Sequence, residues 1–450
     1  MKKRLLSLLL LCQSLLFCAA AHAEPKHKIG IYHWGGEYLE KTSDPLIEGA
    51  ERVKESGAEI INITISPYWD YKNGDAFETS TLTLRAQRED YRRVLTDPAF
   101  KIVVLTAFDW QSYGTDFAGS GVSNEFSDFV LYLATVCNGQ EKTFVIKDWE
   151  VENRLGIDTS RVDQPKISAE RWQSYLEYVA ARQRGVEDGK RRAQELGLTS
   201  VTFRNAVETV NIYPLFFENI KENSVLWQMS QRKMSVDLIS WSAWQATPSA
   251  NPLNLYLGVG SGTDTISRFL KENKTADGLF LGEIGVPSEF DPQLLRYIFD
   301  AVEESEALFA VKWNLYNAAA SSSKGFGSYD EEGKITPQGT FMKELLLGTL
   351  PQINEGGVVD AFTHERKTQS GIVEIYGTNL AKGCSDIKVE VSADTEHFYQ
   401  FDSYLADVLY VGEQINAQIP RLPELMNRTV YVRVVSGSFN SNFQKIFFGN

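Results

Sequence analysis

The chain has 450 residues, 43% of them hydrophobic and 23% charged, a balance that excludes wholesale disorder. Its formal net charge of -14 argues against wrapping nucleic acid or coating an anionic membrane. Aromatic residues make up 12%, whereas 5 His and 4 Cys leave little for a dedicated transition-metal site, so neither a metal nor a cofactor is expected.

Lys2, Lys3 and Arg4 precede an apolar run at 5–17, and Ala21-His22-Ala23 has the small-x-small pattern of a cleavage site. This predicts a secretory signal peptide over 1–23, cut after Ala23, and a secreted or periplasmic product. The apolar run is shorter than the roughly 20 residues a membrane span needs, so no permanent anchor is expected. Without its three leader cations the net charge moves from -14 to -17. Cys12 and Cys18 leave with the leader. Cys137 and Cys384 remain, either as one inter-domain bridge or as two buried thiols.

Apolar, β-rich runs then recur with helical stretches between them. They lie at 28–34 (KIGIYHW), 59–66 (EIINITIS), 101–108 (KIVVLTAF), 143–150 (TFVIKDWE), 200–208 (SVTFRNAVE), 236–241 (VDLISW), 278–283 (GLFLGE) and 308–314 (LFAVKWN). Helices are expected at 45–56, with Gly57 as a stop, at 126–136, and at 168–196, opened by Ser168 with Glu170 and closed by Gly197. Alternating strand and helix predicts parallel strands with right-handed crossovers, and eight such units are the number of a (β/α)8 TIM barrel. A doubly wound open sheet is the competing fold, but Gly35-Gly36 alone is no phosphate loop. The barrel is expected over 24–347.

Gly348, Pro351, Gly356 and Gly357 suggest a linker over 348–357. Beyond it, short strands are expected at 371–376, 387–391, 414–419, 429–435 and 444–448, which predicts a small all-β sandwich over 358–450. The segments IYGTNL (375–380), INAQIP (415–420) and TVYVRVVSGSFNSN (429–442) resemble an immunoglobulin-like module of the IPT/TIG type.

Barrel active sites lie at the C-terminal ends of the strands. Here those ends carry His33-Trp34; Trp69 and Asp70; Asp109-Trp110; Asp148-Trp149-Glu150 with Glu152; Asn205 and Glu208; Trp241 and Trp244; Glu283; and Trp313-Asn314. Sugar rings have an apolar C–H face that stacks on aromatic rings and a hydroxyl rim that seeks Asp, Asn, His and Glu. Glycosidic cleavage needs two carboxyls, one protonated and one ionised. The pattern therefore points to a carbohydrate substrate.

The ends of the fourth and seventh runs resemble the clan-A glycoside hydrolases, retaining (β/α)8 enzymes. Glu283 in GLFLGEIGVP matches the position of their nucleophile, and Glu150 in FVIKDWEVEN occupies the slot of their acid/base. KWNLYN (312–317) resembles the aromatic segment that floors their substrate site. DWEVEN, ARQRGV (181–186), RNAVETVN (204–211) and DLISWSAW (237–244) resemble a group of secreted barrel proteins of this layout. The resemblance spans about residues 28–320 and implies catalysis by Glu150 and Glu283. Substrate contacts fall to His33, Trp34, Trp69, Asp109, Trp110, Asp148, Trp149, Glu152, Asn205, Glu208, Trp241, Trp244, Trp313 and Asn314.

Clan-A enzymes place Asn before the acid/base, whereas here Trp149 precedes Glu150, which leaves Glu152 as a rival. Glu208 is either a third carboxylate tuning the pair or a buried partner of Arg204 or Arg182. His33 is either a hydroxyl contact or a satisfied core histidine. A barrel that has lost its chemistry and only binds carbohydrate is the alternative function.

Overall fold

The computed structural model describes residues 24–34, 42–66, 71, 81–108, 121–157, 166–247, 250–317, 325–350, 352–361, 363–369, 371–380, 387–394, 397–407, 413–419, 422–436 and 439–449. Residues 1–23, Trp69, Asp70, Asp109, Trp110 and Cys384 lie outside this set.

The apolar runs form parallel strands β1 (Ile29–His33), β2 (Ile60–Ile65), β3 (Ile102–Ala107), β4 (Lys142–Lys147), β5 (Val201–Thr209), β6 (Val236–Ser242), β7 (Ala276–Ile284) and β8 (Ala310–Lys312). They pair in sequence order, and β8 closes on β1, so the fold is a TIM barrel. Strands covered on both faces are rich in apolar residues, which is why each was legible.

Helices α1 (Pro45–Glu55), α2 (Leu82–Gln87), α3 (Glu89–Leu95), α4 (Val122–Val136), α5 (Val151–Arg154), α6 (Ala169–Glu195), α7 (Val225–Gln231), α8 (Pro252–Asn273), α9 (Leu294–Glu304) and α10 (Pro337–Leu346) follow or separate the strands. The Ser168 hydroxyl caps α6 by accepting from Arg171 N. Gly57 and Gly197, expected as helix stops, adopt φ of 88° and 75°.

Alternate residues on each strand face two different cores. One, between strands and helices, contains Ile31, Ile63, Leu105, Ile146, Val207, Trp241 and Leu281. The other fills the barrel with Tyr32, Ile60, Val104, Val145, Ala206, Leu238, Phe280, Phe309, Val311 and Trp313. Above those apolar side chains the barrel interior turns polar. Tyr32 donates to Thr106 Oγ1 at 2.9 Å, and Thr106 donates to Asn62 Oδ1 at 3.0 Å.

The C-terminal part is a β-sandwich of β9 (Gln352–Asp360), β10 (Lys367–Thr368), β11 (Ile372–Thr378), β12 (Ile387–Ser392), β13 (Tyr399–Asp407), β14 (Glu413–Gln418), β15 (Arg428–Ser436), β16 (Phe439–Asn440) and β17 (Gln444–Phe448). The first half of β13 pairs with β12 and its second half with β14, so this strand passes from one layer to the other. Val373, Ile375, Val389, Val391, Ile415, Val430, Val432 and Ile446 meet between the layers. Residues 352–357, read as linker, are the start of β9, which pairs with β11.

The sandwich rests on α9. The Tyr297 and Phe443 rings lie 5.1 Å apart, Arg433 donates to the Tyr297 hydroxyl, and Asn440 N donates to Gln293 Oε1 at 2.9 Å. Among the described residues no helix is long and apolar enough to cross a membrane, and no cluster of His, Cys, Asp or Glu is placed to hold a metal. Cys137 is a buried free thiol, which burial pushes up to about 11.

Candidate active site

Strict alternation from Lys147, which faces the barrel interior, would put Glu150 on the outer face beside Asp148. Instead Glu150 adopts a left-handed backbone, with φ 31°, and its side chain meets the interior set. Oε1 accepts from Ser242 Oγ at 2.8 Å, Oε2 accepts from Asn153 Nδ2, and the Glu150 N–H donates to Glu208 Oε2 at 3.0 Å. A positive φ on a non-glycine residue is uncommon and marks a position that its surroundings hold in place.

Glu283 reaches the same place by another irregularity. Through β6 and β7 the pairing runs evenly to Trp241 opposite Leu281, then shifts so that Ser242 pairs with Glu283. The extra residue, Gly282, moves Glu283 from the outer to the inner phase, the usual effect of a bulge beside a site. Glu283 Oε2 accepts from Trp244 Nε1 at 3.2 Å, while Oε1 is buried with no partner among the described residues.

Both carboxyls are pushed above the ordinary carboxylate range. For Glu283 the causes are burial, then Glu150, then Glu208; for Glu150 they are burial, then Glu208, with Ser242 and Asn153 opposing. Two like-charged groups in a dry site share protons as a pair.

Beneath them, Lys147 Nζ donates to Glu208 Oε1 at 2.7 Å, and Ser240 Oγ donates to the same oxygen at 2.7 Å. Glu208 is therefore the partner of Lys147. Arg204 lies instead 4.0 Å from Asp277, and Arg182 serves Asp148 and Asn205.

The rings sort into two groups. Trp313, 8% exposed, belongs to the interior cluster and meets Tyr32 edge-on at 4.8 Å. Trp34 and Trp244 pack on the same cluster, and Trp244 meets Phe326 edge-on at 5.4 Å. Trp149, at the end of β4, is 38% exposed. Trp241 faces outward against α8, where a Cβ added at Gly262 would stand 2.2 Å from the indole. It is not at the cleft.

Four polar candidates are also turned away. His33 lies under α1, its Nε2 3.0 Å from Pro45 O, and burial pushes its ring down to about 4, so it is a neutral core histidine. Asn205 accepts from Arg182 Nε at 2.7 Å and donates to Gln183 Oε1 at 2.7 Å, on the helix side of β5. Asp148 accepts from the Tyr175 hydroxyl and from Glu208 N at 3.0 Å, with Arg182 at 3.6 Å. Glu152 accepts from Thr209 Oγ1 at 2.9 Å and from Val210 N and Val225 N, both at 3.0 Å. Its two oxygens are thus engaged in tying the β4 end to β5 and α7. Asn314 is fully buried, its Oδ1 accepting from Tyr316 N at 2.9 Å.

Sequence reasoning passed over Lys147, Ser240 and Ser242, although the signal was there. A lysine inside FVIKDWE, and serines spaced by two in DLISWS, are polar residues in phase with the barrel interior. It also passed over Lys312, a buried lysine donating to Asn314 O at 3.1 Å, Phe326 O at 2.6 Å and Ser328 Oγ at 3.2 Å. Burial pushes Lys312 down to about 7. Its three bonds fix the segment that sets Phe326 against Trp244.

No known family model matches the chain, and no curated protein matches it. Among solved structures it is similar to a calcium binding mutant of Bacteroides uniformis beta-glucuronidase 2, with 11% identity and a TM-score of 0.46 over 94% of this chain and 46% of that one. It thus spans under half of that chain's length. It is also similar to the GH39 enzyme from Xanthomonas axonopodis pv. citri, with 8% identity and a TM-score of 0.47 over 90% of this chain and 99% of that one. A third is a GH5_18 protein from Streptomyces cattleya in complex with GlcNAc, with 12% identity and a TM-score of 0.47 over 72% and 80%.

Proposed function

We propose that this protein is a glycoside hydrolase acting on a poly- or oligosaccharide with two carboxyls, Glu150 and Glu283. The observation that carries the reading is the convergence of these two buried groups at one end of the barrel, where Glu150 raises the proton affinity of Glu283, with Ser242 pairing with one in the sheet and bonded to the other. Trp313, Trp244 and Trp34 supply apolar faces around them.

In the retaining course, the Glu283 carboxylate attacks the anomeric carbon as Glu150 delivers its proton to the departing oxygen. A glycosyl ester forms on Glu283 while the glycosidic C–O bond breaks. Glu150, now ionised, takes a proton from water, which attacks the anomeric carbon and releases Glu283. In the free protein Glu150 accepts from two side-chain donors and Glu283 from one, which favours the shared proton on Glu283. Substrate binding therefore has to move that proton to Glu150 before attack.

The test is a screen of purified protein against polysaccharides and aryl glycosides, with the first product anomer read by NMR. Retention is expected, and so is loss of hydrolysis in Glu283→Gln and Glu150→Gln. Azide assigns the roles: it should yield a glycosyl azide of inverted configuration with Glu283→Ala and of retained configuration with Glu150→Ala. Glycan binding without any product from the wild type would establish the non-catalytic alternative. The reading includes export through the leader at 1–23 and an immunoglobulin-like, IPT/TIG-type packing role for the sandwich; secretion of a tagged full-length chain checks the former.

A further inference from the structure

Glu208 takes no part in the chemistry above, yet it is held on every side. Its Oε1 accepts from Lys147 Nζ and Ser240 Oγ, both at 2.7 Å, and its Oε2 accepts from Glu150 N at 3.0 Å. The same carboxylate lies against β7: a Cβ added at Gly282 would stand 2.2 Å from Glu208 Oε1. One side chain therefore touches the backbone of Glu150 and the residue before Glu283. The Lys147 ammonium also lies 5.6 Å from the Tyr32 ring centroid.

We propose that Lys147 and Glu208 form the positioning pair of this site. Glu208 pins the left-handed backbone that turns Glu150 inward, and the charges of the pair set the acidity of the Glu150–Glu283 couple. The inference rests on the reading of those two residues as the reacting carboxyls.

The groups facing the couple, among the described residues, are few. β1 contributes Tyr32, β4 Lys147, β5 Glu208 and β7 Glu283 itself, while β6 contributes the neutral Ser240 and Ser242, the segment after it Trp244, and α5 the neutral Asn153. Asp148 faces the other way, toward Tyr175 and Arg182. Glu208 pushes both carboxyls up and Lys147 pushes both down. At Glu150, whose N–H Glu208 touches, the anion acts more strongly than the cation. Removing either member leaves the other uncompensated where screening is weak.

The experiment compares wild type with Glu208→Gln, Lys147→Met and the double variant. Each full-length protein is labelled with 13C at Glu carboxyls, and the couple is assigned by its loss in Glu150→Gln and Glu283→Gln. The expected result is an apparent midpoint lowered by about one pH unit in Glu208→Gln, raised by about as much in Lys147→Met, and close to wild type in the double variant. Midpoints unmoved in both single variants, or moved in the same direction, overturn the proposal. Should Lys147→Met fail to fold, the sign of the Glu208→Gln shift decides alone.

A role confined to holding backbone would lower kcat without moving the midpoint. The titration is read without turnover, so a wild type that hydrolyses nothing counts against the glycosidase reading, while the midpoints still decide this one.

Discussion

The Ser242 hydroxyl donates to Glu150 Oε1 at 2.8 Å from the β6 position that pairs with Glu283. One short side chain thus couples the two strands that carry the carboxyls. A donor to a carboxylate favours its ionised form. Ser242→Ala should push Glu150 further up and move the basic limb of the kcat/KM profile to higher pH. A charged hydrogen bond of about 1.5–3 kcal/mol corresponds to roughly a tenfold or greater fall at the wild-type optimum. A pH–rate profile on any cleaved glycoside checks it, and an unchanged limb would remove Ser242 from the argument.

Trp244 holds Glu283 through its indole N–H at 3.2 Å. Trp244→Phe keeps a ring against Phe326 and deletes only that donor. About a tenfold loss of kcat is expected, with the melting temperature within about 2 °C of wild type. Steady-state kinetics beside a thermal melt separate the cases: a rise in KM at constant kcat would make Trp244 a sugar platform instead.

Trp241 is buried between β6 and α8 at Gly262. Trp241→Phe leaves a void there and should cost about 1–3 kcal/mol of stability, with KM unaltered. Denaturant unfolding and kinetics at a temperature where the variant is folded test both halves.

Glu152 has an acidity set by burial, which pushes its carboxyl up to about 7 against the opposing bonds from Val225, Val210 and Thr209. The folded state therefore binds a proton that the unfolded chain has lost between about pH 4.5 and 7. Stability from this group is present below that window and is lost as pH rises through it. The melting temperature of wild type relative to Glu152→Gln should fall from pH 4.5 to 7 and level off above. A difference independent of pH would show that Glu152 does not titrate in that range.

Much of the architecture was legible. The eight apolar-rich runs became the eight barrel strands because strands buried on both faces need mostly apolar residues. The sandwich was read less fully. β13 (YQFDSYLAD) mixes polar and apolar residues without a clean alternation, and the first six residues of β9 (QINEGGVVD) fall in the linker expected over 348–357 from Gly348, Pro351, Gly356 and Gly357. Partner strands supply their stability, and a local pattern does not record them.

The strand-end positions of Glu150, Glu283, Trp244 and Trp313 were determined by the sequence alone, since apolar runs mark where each strand stops. Facing was not. Period-two alternation puts Glu150 and Glu283 on the outer side of the barrel, and only the left-handed turn at Glu150 and the pairing shift at Gly282 bring them inside. The same alternation sends His33, Asn205, Asp148 and Trp241 outward to α1, α6 and α8, where helix groups occupy them. A side chain's direction is decided by how its strand pairs with its neighbours around the closed barrel, and that pairing exists only once the whole sheet has formed.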